Sequence, residues 1–370
     1  MDEERTQIIT IARTIEVGLD GRLHCLELVE GIDVGRRHLV GPSGLTIGRV
    51  PPADIVLGDT DVSRAHCRVV LAGDDLVVTD LNSTNGTYVD GVRLQPSAIL
   101  PANGILQVGH QAFKHELLTG KQVQKSDDMD RELAAAFSYV QALLPAPLTD
   151  GPIRADWVYK PCSKLGGDAF GYGPLGGDLF GLYLIDVSGH GAGAAMHSVA
   201  VMNLLRQQAL PACDMTQPAK VLETLNAMFQ MEAHAEMYFT MWYGVYNVAT
   251  RRLDYAAAGH HPAYLIASGR GDAIPLGTRN SLIGAVPGKT YQADHIGVPR
   301  GASIYLFSDG VFEIVTIHDL QWGLSDFLPL LSQRGVEGLT ESERLFRAVR
   351  AAARPGELDD DFSLVVARFD

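Results

Sequence analysis

Residues 181–191 read Gly-Leu-Tyr-Leu-Ile-Asp-Val-Ser-Gly-His-Gly, an apolar run that closes on an aspartate and passes into a glycine-rich turn. A run this short, with Tyr and Ile in it, reads as a buried strand, and the carboxylate stands where strand gives way to loop. The arrangement recurs. SIYLFSDG (303–310) closes on Asp309, Asp359-Asp360-Asp361 opens FSLVVARF (362–369), and Gly166-Gly167-Asp168 again sets an aspartate beside glycines. Between them YFTMWYGVYNV (238–248), LDYAAAG (253–259) and AYLIAS (263–268) read as strands, and 194–209, 220–231 and 341–353 read as helices. The strands come in neighbouring pairs joined by turns such as 249–252, which predicts an antiparallel α+β core over 149–370 rather than a βαβ sheet.

The chain has 370 residues, too many for one ordinary domain, and its 46% hydrophobic and 20% charged residues are a globular composition. Thirty Lys plus Arg against 44 Asp plus Glu give a net charge of -14, which argues against nucleic acid or an anionic membrane as partner. Cys25, Cys67, Cys162 and Cys213 have no paired short spacing, so reduced thiols are expected. The start, MDEERTQIITIART, lacks the basic end and apolar run of a signal peptide, and no later stretch stays apolar for about 18 residues. A cytoplasmic protein with no membrane span is expected.

From Ile8 to about Leu118 short alternating runs are broken by turns, with Asn85-Gly86 and Asp90-Gly91 the strongest turn signals. This predicts an all-β sandwich or barrel. The polar stretch 119–128 reads as a linker, and Met129, Leu133, Phe137, Val140 and Leu144 then fall on one helical stripe ended by Pro145 and Pro147. The stripe must be covered by the second domain or by another copy, so a homodimer is one expectation. The domains are then 1–120 (with 1–20 an N-terminal segment), 121–148 as linker and amphipathic helix, and 149–370.

Three segments of the first domain put an arginine, a hydroxyl or an amide beside a turn: Ile47-Gly48-Arg49, Val62-Ser63-Arg64-Ala65-His66, and Asn82-Ser83-Thr84-Asn85-Gly86-Thr87. Such groups at clustered loops can converge on one anion. In order and spacing they resemble the forkhead-associated (FHA) domain over residues 20–118. The resemblance implies an 11-stranded or similar β-sandwich that binds phosphothreonine peptides through Arg49, Ser63, Arg64, Thr84 and Asn85, with Gly48 and His66 as scaffold. It also makes Thr6, followed three residues on by Ile9, a possible phosphorylation site and ligand for the chain's own domain.

In the second domain, aspartates at strand ends with no Cys/His pairs at ligand spacing point to a hard divalent cation rather than zinc. GGD, DVSGHG, MYFTMWYGVYN, AAAGHHPAYL, LFSDGVFE and DDFSLVV resemble, in that order, the metal-dependent (PPM) serine/threonine phosphatases of the SpoIIE-type bacterial branch. The resemblance implies two central antiparallel sheets flanked by helices and two divalent metals, Mn²⁺ or Mg²⁺. Asp186 would bridge them, with Asp309 and Asp360 completing the first and Asp168 and the Val187 carbonyl the second. His190 or His260 would protonate the leaving oxygen. Lys160 and Lys164 stand where the wider family carries a phosphate-binding arginine. The implied function is a protein serine/threonine phosphatase acting on phosphoserine or phosphothreonine, with anti-sigma-factor antagonist (STAS) proteins as one substrate class. The FHA domain would engage a phosphothreonine partner or kinase. The competing reading is an inactive scaffold that binds phosphoproteins.

Overall fold

The computed structural model describes residues 22–31, 35–189, 191–268, 271–316, 320–354 and 358–370. Thr6 and His190 lie outside the described residues. The chain divides into two compact units between Glu132 and Leu133.

The first unit is built from β1 (Arg22–Glu30), β2 (Arg37–Leu39), β3 (Leu45–Gly48), β4 (Ile55–Val56), β5 (Cys67–Ala72), β6 (Asp75–Asp80), β7 (Thr87–Val89), β8 (Val92–Arg93), β9 (Ser97–Leu100), β10 (Ile105–Val108) and β11 (Gln111–Thr119). They form two sheets, ordered β2-β1-β11-β10-β7-β8 and β4-β3-β5-β6-β9. Alternation fixes which side chains enter the core: on β5 Cys67 and Val69 point inward while Arg68 is exposed. They meet Leu26, Ile47, Leu76, Val78, Leu106 and Phe113 between the sheets. The Asp90-Gly91 turn has φ of 49° and 77° and joins β7 to β8 with Val89 opposite Val92, the geometry that dipeptide favours. The 11-stranded sandwich expected from the motifs is the one observed.

The stretch 119–128, expected as a linker, is instead the start of a helix, α1 (Gly120–Leu143). Lys121, Gln122, Gln124 and Lys125 are good helix formers, and no Gly or Pro intervenes between Gly120 and Pro145. Polarity there marks a solvated helix. From Leu133 onward the apolar stripe packs within the second unit: Leu133, Phe137 and Val140 meet Leu165, Ala195 and Val199. Phe137 also stacks on Tyr159 at 6.2 Å. Met129 stays half exposed. Covering the stripe from Leu133 onward therefore requires no second copy.

The second unit contains β12 (Ile153–Lys160), β13 (Ala169–Gly176), β14 (Leu179–Val187), α2 (Ala192–Arg206), α3 (Pro218–Met228), β15 (Phe239–Asn247), β16 (Arg252–Ala258), β17 (Ala263–Ile266), β18 (Ile274–Leu276), β19 (Asp294–Gly297), β20 (Ala302–Phe307), α4 (Leu324–Leu331), α5 (Glu341–Ala352) and β21 (Phe362–Phe369). Two antiparallel sheets, β12-β21-β20-β17-β18 and β13-β14-β15-β16-β19, pack face to face through Leu184, Trp242, Ala256, Leu265, Ile304, Val365 and neighbours. Val201, Leu205, Val221 and Leu225 of α2 and α3 join that core from one side. Phe327, Leu345 and Val349 of α4 and α5 cover the other sheet with Tyr264, Phe307 and Val366. The layers run helix, sheet, sheet, helix, so central strands are buried on both faces and polar side chains gather at their ends.

Replacing Phe137 by Ala should lower the stability of the second unit by about 2 kcal/mol, less than the roughly 3–5 kcal/mol for a fully buried Phe because Phe137 is only partly buried. Denaturant melts followed by tryptophan fluorescence check this. All three tryptophans, Trp157, Trp242 and Trp322, lie in that unit.

Candidate functional site

Strand register brings the aspartates together. Ala169 pairs with Ile185, so Asp168, one step before β13, faces Asp186 near the end of β14. In the other sheet Phe307 pairs with Leu364, and Ser308 N–H donates to the Ser363 carbonyl at 3.0 Å, which sets Asp309 beside Asp360 and Asp361. Each sheet thus delivers carboxylates to the same end of the sandwich. A Cβ on Gly310 would overlap the Asp361 carbonyl, so the turn after β20 can lie this close only with glycine.

The carboxylates repel one another. Burial, then Asp186 and Asp361, push Asp168 well above the ordinary carboxylate range. Asp186 rises to about 7 through burial and the charges of Asp309, Asp360, Asp361 and Glu313. Asp309 rises to about 6 through burial, Asp360 and Glu313. Asp186 faces members of both groups and is the hub. Asp168 is buried, and its Oδ2 has no hydrogen-bond partner among the described residues.

The aspartate triplet divides its labour. Asp359 pairs with Arg354 on the surface. Asp360 is exposed and faces Asp186 and Asp309. Asp361, whose role the sequence left open, is buried, and its carboxylate accepts Cys162 N–H at 2.8 Å and Gly167 N–H at 2.6 Å. It ties the Gly-Gly-Asp turn to the start of β21. The same turn rests on the end of β14, where a Cβ on Gly167 would stand 2.8 Å from the Val187 carbonyl. Carboxylate donors, mutual repulsion and an unpartnered buried carboxylate oxygen fit hard divalent cations, and the Cys162 sulfur lies within 4.8 Å of carboxylate oxygens of Asp360 and Asp361.

His260 does not fit the part of proton donor. Burial and the neighbouring His261 lower it to about 3, and its Nδ1 lies 2.8 Å from the His261 carbonyl, so the ring is neutral with that N–H donated to backbone.

In the first unit the three motif segments also converge. Arg49 N–H donates to the Ser63 carbonyl at 2.9 Å. Thr84 N–H donates to Ser63 Oγ at 3.0 Å, and Asn85 Nδ2 donates to the Asp61 carbonyl at 2.9 Å. His66, fully buried, accepts Ser63 N–H on Nδ1 at 3.1 Å and donates from Nε2 to the Gly86 carbonyl at 3.1 Å, locking the two turns. Among the described residues neither Arg49 nor Arg64 has a carboxylate partner. In a chain of net charge -14, unpaired arginines beside two hydroxyls are suited to an anion.

The sequence profile described as Stage II sporulation protein E (SpoIIE) matches residues 176–370, more than half of the chain. The chain belongs to the SpoIIE family. An FHA-domain profile matches residues 45–109, so this SpoIIE-family chain carries an FHA domain before its phosphatase-fold unit. Phosphoserine phosphatase RsbP of Bacillus subtilis (strain 168) is 28% identical over 184 residues, which cover 50% of this chain and 45% of RsbP. Glycogen accumulation regulator GarA of Mycolicibacterium smegmatis is 37% identical over 111 residues, 30% of this chain and 66% of GarA. The SiaA-PP2C domain of Pseudomonas aeruginosa superposes with a TM-score of 0.57 at 20% identity, covering 67% of this chain and 98% of that one. It establishes the fold. The SpoIIE-family chain spans less than half the length of RsbP.

The raised carboxylates predict an unusual pH dependence of stability. With ordinary values near 3.8 unfolded and about 6 and 7 folded, Asp309 and Asp186 make the folded unit hold more protons than the unfolded chain across that window. Without divalent cations, stability should therefore fall as pH rises from about 4 to about 7. Millimolar Mg²⁺ or Mn²⁺ should remove that loss by replacing the protons. Thermal melts at pH 5 and pH 8, with EDTA and with metal, check it; coincident curves at both pH values would contradict it.

Proposed function

We propose that the protein is a divalent-metal-dependent phosphatase that removes phosphate from serine or threonine of a partner protein, and that its FHA domain targets or regulates it through a phosphothreonine peptide. The observation that carries the reading is the convergence of Asp168, Asp186, Asp309 and Asp360 at one sandwich end, with Asp186 at the centre of the repulsion.

Asp186 would be shared by two cations, Asp309 and Asp360 would complete one site, and Asp168 with the Val187 carbonyl the other. Mn²⁺ and Mg²⁺ both suit oxygen ligands. When bound, two such cations lower the pKa of a water and draw charge off the phosphoryl oxygens. The residues of this chain supply the rest. Asp361 holds the Gly-Gly-Asp turn through Cys162 and Gly167, fixing Asp168 against β14. Ser308 Oγ donates to the Asp361 carbonyl at 2.9 Å and accepts Ser363 N–H at 3.1 Å, fixing Asp309 against β21. His190, four residues after Asp186 in the sequence, is the proposed donor to the leaving serine or threonine oxygen.

RsbP is a phosphoserine phosphatase by name, which favours phosphoserine of a small signalling protein, an anti-sigma-factor antagonist among the candidates. On the FHA side, Arg49, Ser63, Arg64 and Thr84 are proposed to hold the phosphate and Asn85 the peptide backbone, the ligand being a kinase or a kinase's substrate.

Asp186→Ala and Asp309→Ala should each cut turnover of p-nitrophenyl phosphate or a phosphoserine peptide by at least about 100-fold at saturating Mn²⁺, as removal of a cation ligand does. EDTA should do the same to the wild type. Absence of any metal-dependent turnover would favour the scaffold reading. Arg49→Ala should weaken binding of a phosphothreonine peptide at least about tenfold, the loss of one charge-assisted contact, as read by fluorescence anisotropy.

A further inference from the structure

The arginines of the first unit fall into two groups. Arg37 pairs with Glu27 and Glu116, and Arg68 donates to Thr46 Oγ1 and the Ser43 carbonyl, so both are held by the sandwich itself. Arg49, Arg64 and Arg93 have neither an ion pair nor a side-chain hydrogen bond among the described residues. The first two belong to the motif segments. Arg93 does not.

Arg93 is the last residue of β8, opposite Tyr88 of β7, at a position that the Asp90-Gly91 turn fixes. Its guanidinium lies over Gly86. That glycine has φ of +86°, and a Cβ there would stand 2.5 Å from Arg93 Nε and 3.0 Å from Cζ and Nη2. Gly86 is buried while Thr84 and Asn85 beside it are exposed. Asn85, the proposed backbone contact, is the adjoining residue, about 3.8 Å away along the chain. The Asp61 carboxylate, whose backbone carbonyl holds Asn85, stands 3.5 Å from His110 rather than at an arginine. Asp80 is taken up by Ser83 and Thr87. An exposed, unpaired guanidinium therefore rests on the turn that would carry the peptide, beyond the groups assigned to the phosphate.

We propose that Arg93 is a specificity residue of the phosphopeptide face, taking the carboxylate of an acidic side chain that flanks the phosphothreonine. The proposal rests on the reading of that face given above. A carboxylate matches the planar fork of a guanidinium, and because Asp61 and Asp80 are engaged elsewhere and Arg93 has no ion pair among the described residues, the ligand does not displace an existing pair. Since Arg93 is exposed, its effect is a preference among ligands rather than a requirement for binding.

The test uses the full chain and a set of phosphothreonine peptides in which a single Glu or Gln is placed at each of the three positions before and after the phosphothreonine. At one position at least, the wild type should bind the Glu peptide about two- to fivefold more tightly than the Gln peptide, the range for an exposed ion pair. In Arg93→Ala and Arg93→Gln that ratio should collapse to one, and Arg93→Lys should keep part of it. Equal affinity for Glu and Gln peptides in the wild type, or a ratio that survives in Arg93→Ala, would overturn the proposal. So would an equal loss of affinity for both peptides in Arg93→Ala, which would make Arg93 a phosphate contact. Failure of the underlying reading looks different: Arg49→Ala would then leave binding of every phosphopeptide as it was, or the wild type would bind none, and the role of Arg93 would fall with it.

Discussion

Carboxylates crowded together at strand ends, where they repel one another, are the constraint on which the second unit depends. Each of Asp168, Asp186 and Asp309 is pushed upward by burial and by its acidic neighbours, and nothing cationic among the groups acting on them offsets this. A loop could relax by moving apart; strand ends cannot. The register of β13 with β14 and of β20 with β21, and the packing of the two sheets through Trp242, Leu184, Ile304 and Val365, hold the groups where they are. Asp361 completes the restraint, since its carboxylate oxygens are occupied by backbone N–H groups, while Asp360 next to it acts on Asp186 and Asp309. The fold thus stores an electrostatic cost that hard cations would relieve.

The first unit solves the opposite problem. Its sandwich gathers unpaired arginines and hydroxyls at turns in a chain that is acidic overall, and His66 fixes those turns from beneath without facing solvent. One unit gathers carboxylates and the other unpaired arginines, and under the proposed function phosphate is the chemistry common to both. No described helix is long and apolar enough to cross a membrane.

Much of this was legible in the sequence because turns and strand ends carry strong local signals. Asp90-Gly91 and the antiparallel pairing of the second unit follow from dipeptide chemistry and spacing, and Asp168, Asp186, Asp309 and Asp360 stand out because each adjoins a glycine turn or an apolar run. What was missed depends on three dimensions. The polar face of α1 before Leu133 looks like a linker because solvated helix and linker share a composition. α4, with Pro329 inside it, gave no helical signal. Asp361 differs from Asp360 only in which way its side chain turns, and Arg93 lies outside the motif and is brought back over it by the β7–β8 hairpin. His260 was a candidate by its place among glycines, and only its burial beside His261 disqualifies it.

The central claim, that these carboxylates form a two-cation centre with Asp186 shared, is tested most directly by titrating the full chain with Mn²⁺ in a calorimeter at pH 7 in buffers of different ionisation enthalpy. The account predicts two equivalents bound with release of protons, since Asp186 begins near half protonation, and loss of both equivalents, or a drop to one weak site, in Asp186→Asn. No binding at millimolar Mn²⁺, or binding that Asp186→Asn leaves unchanged, would contradict it.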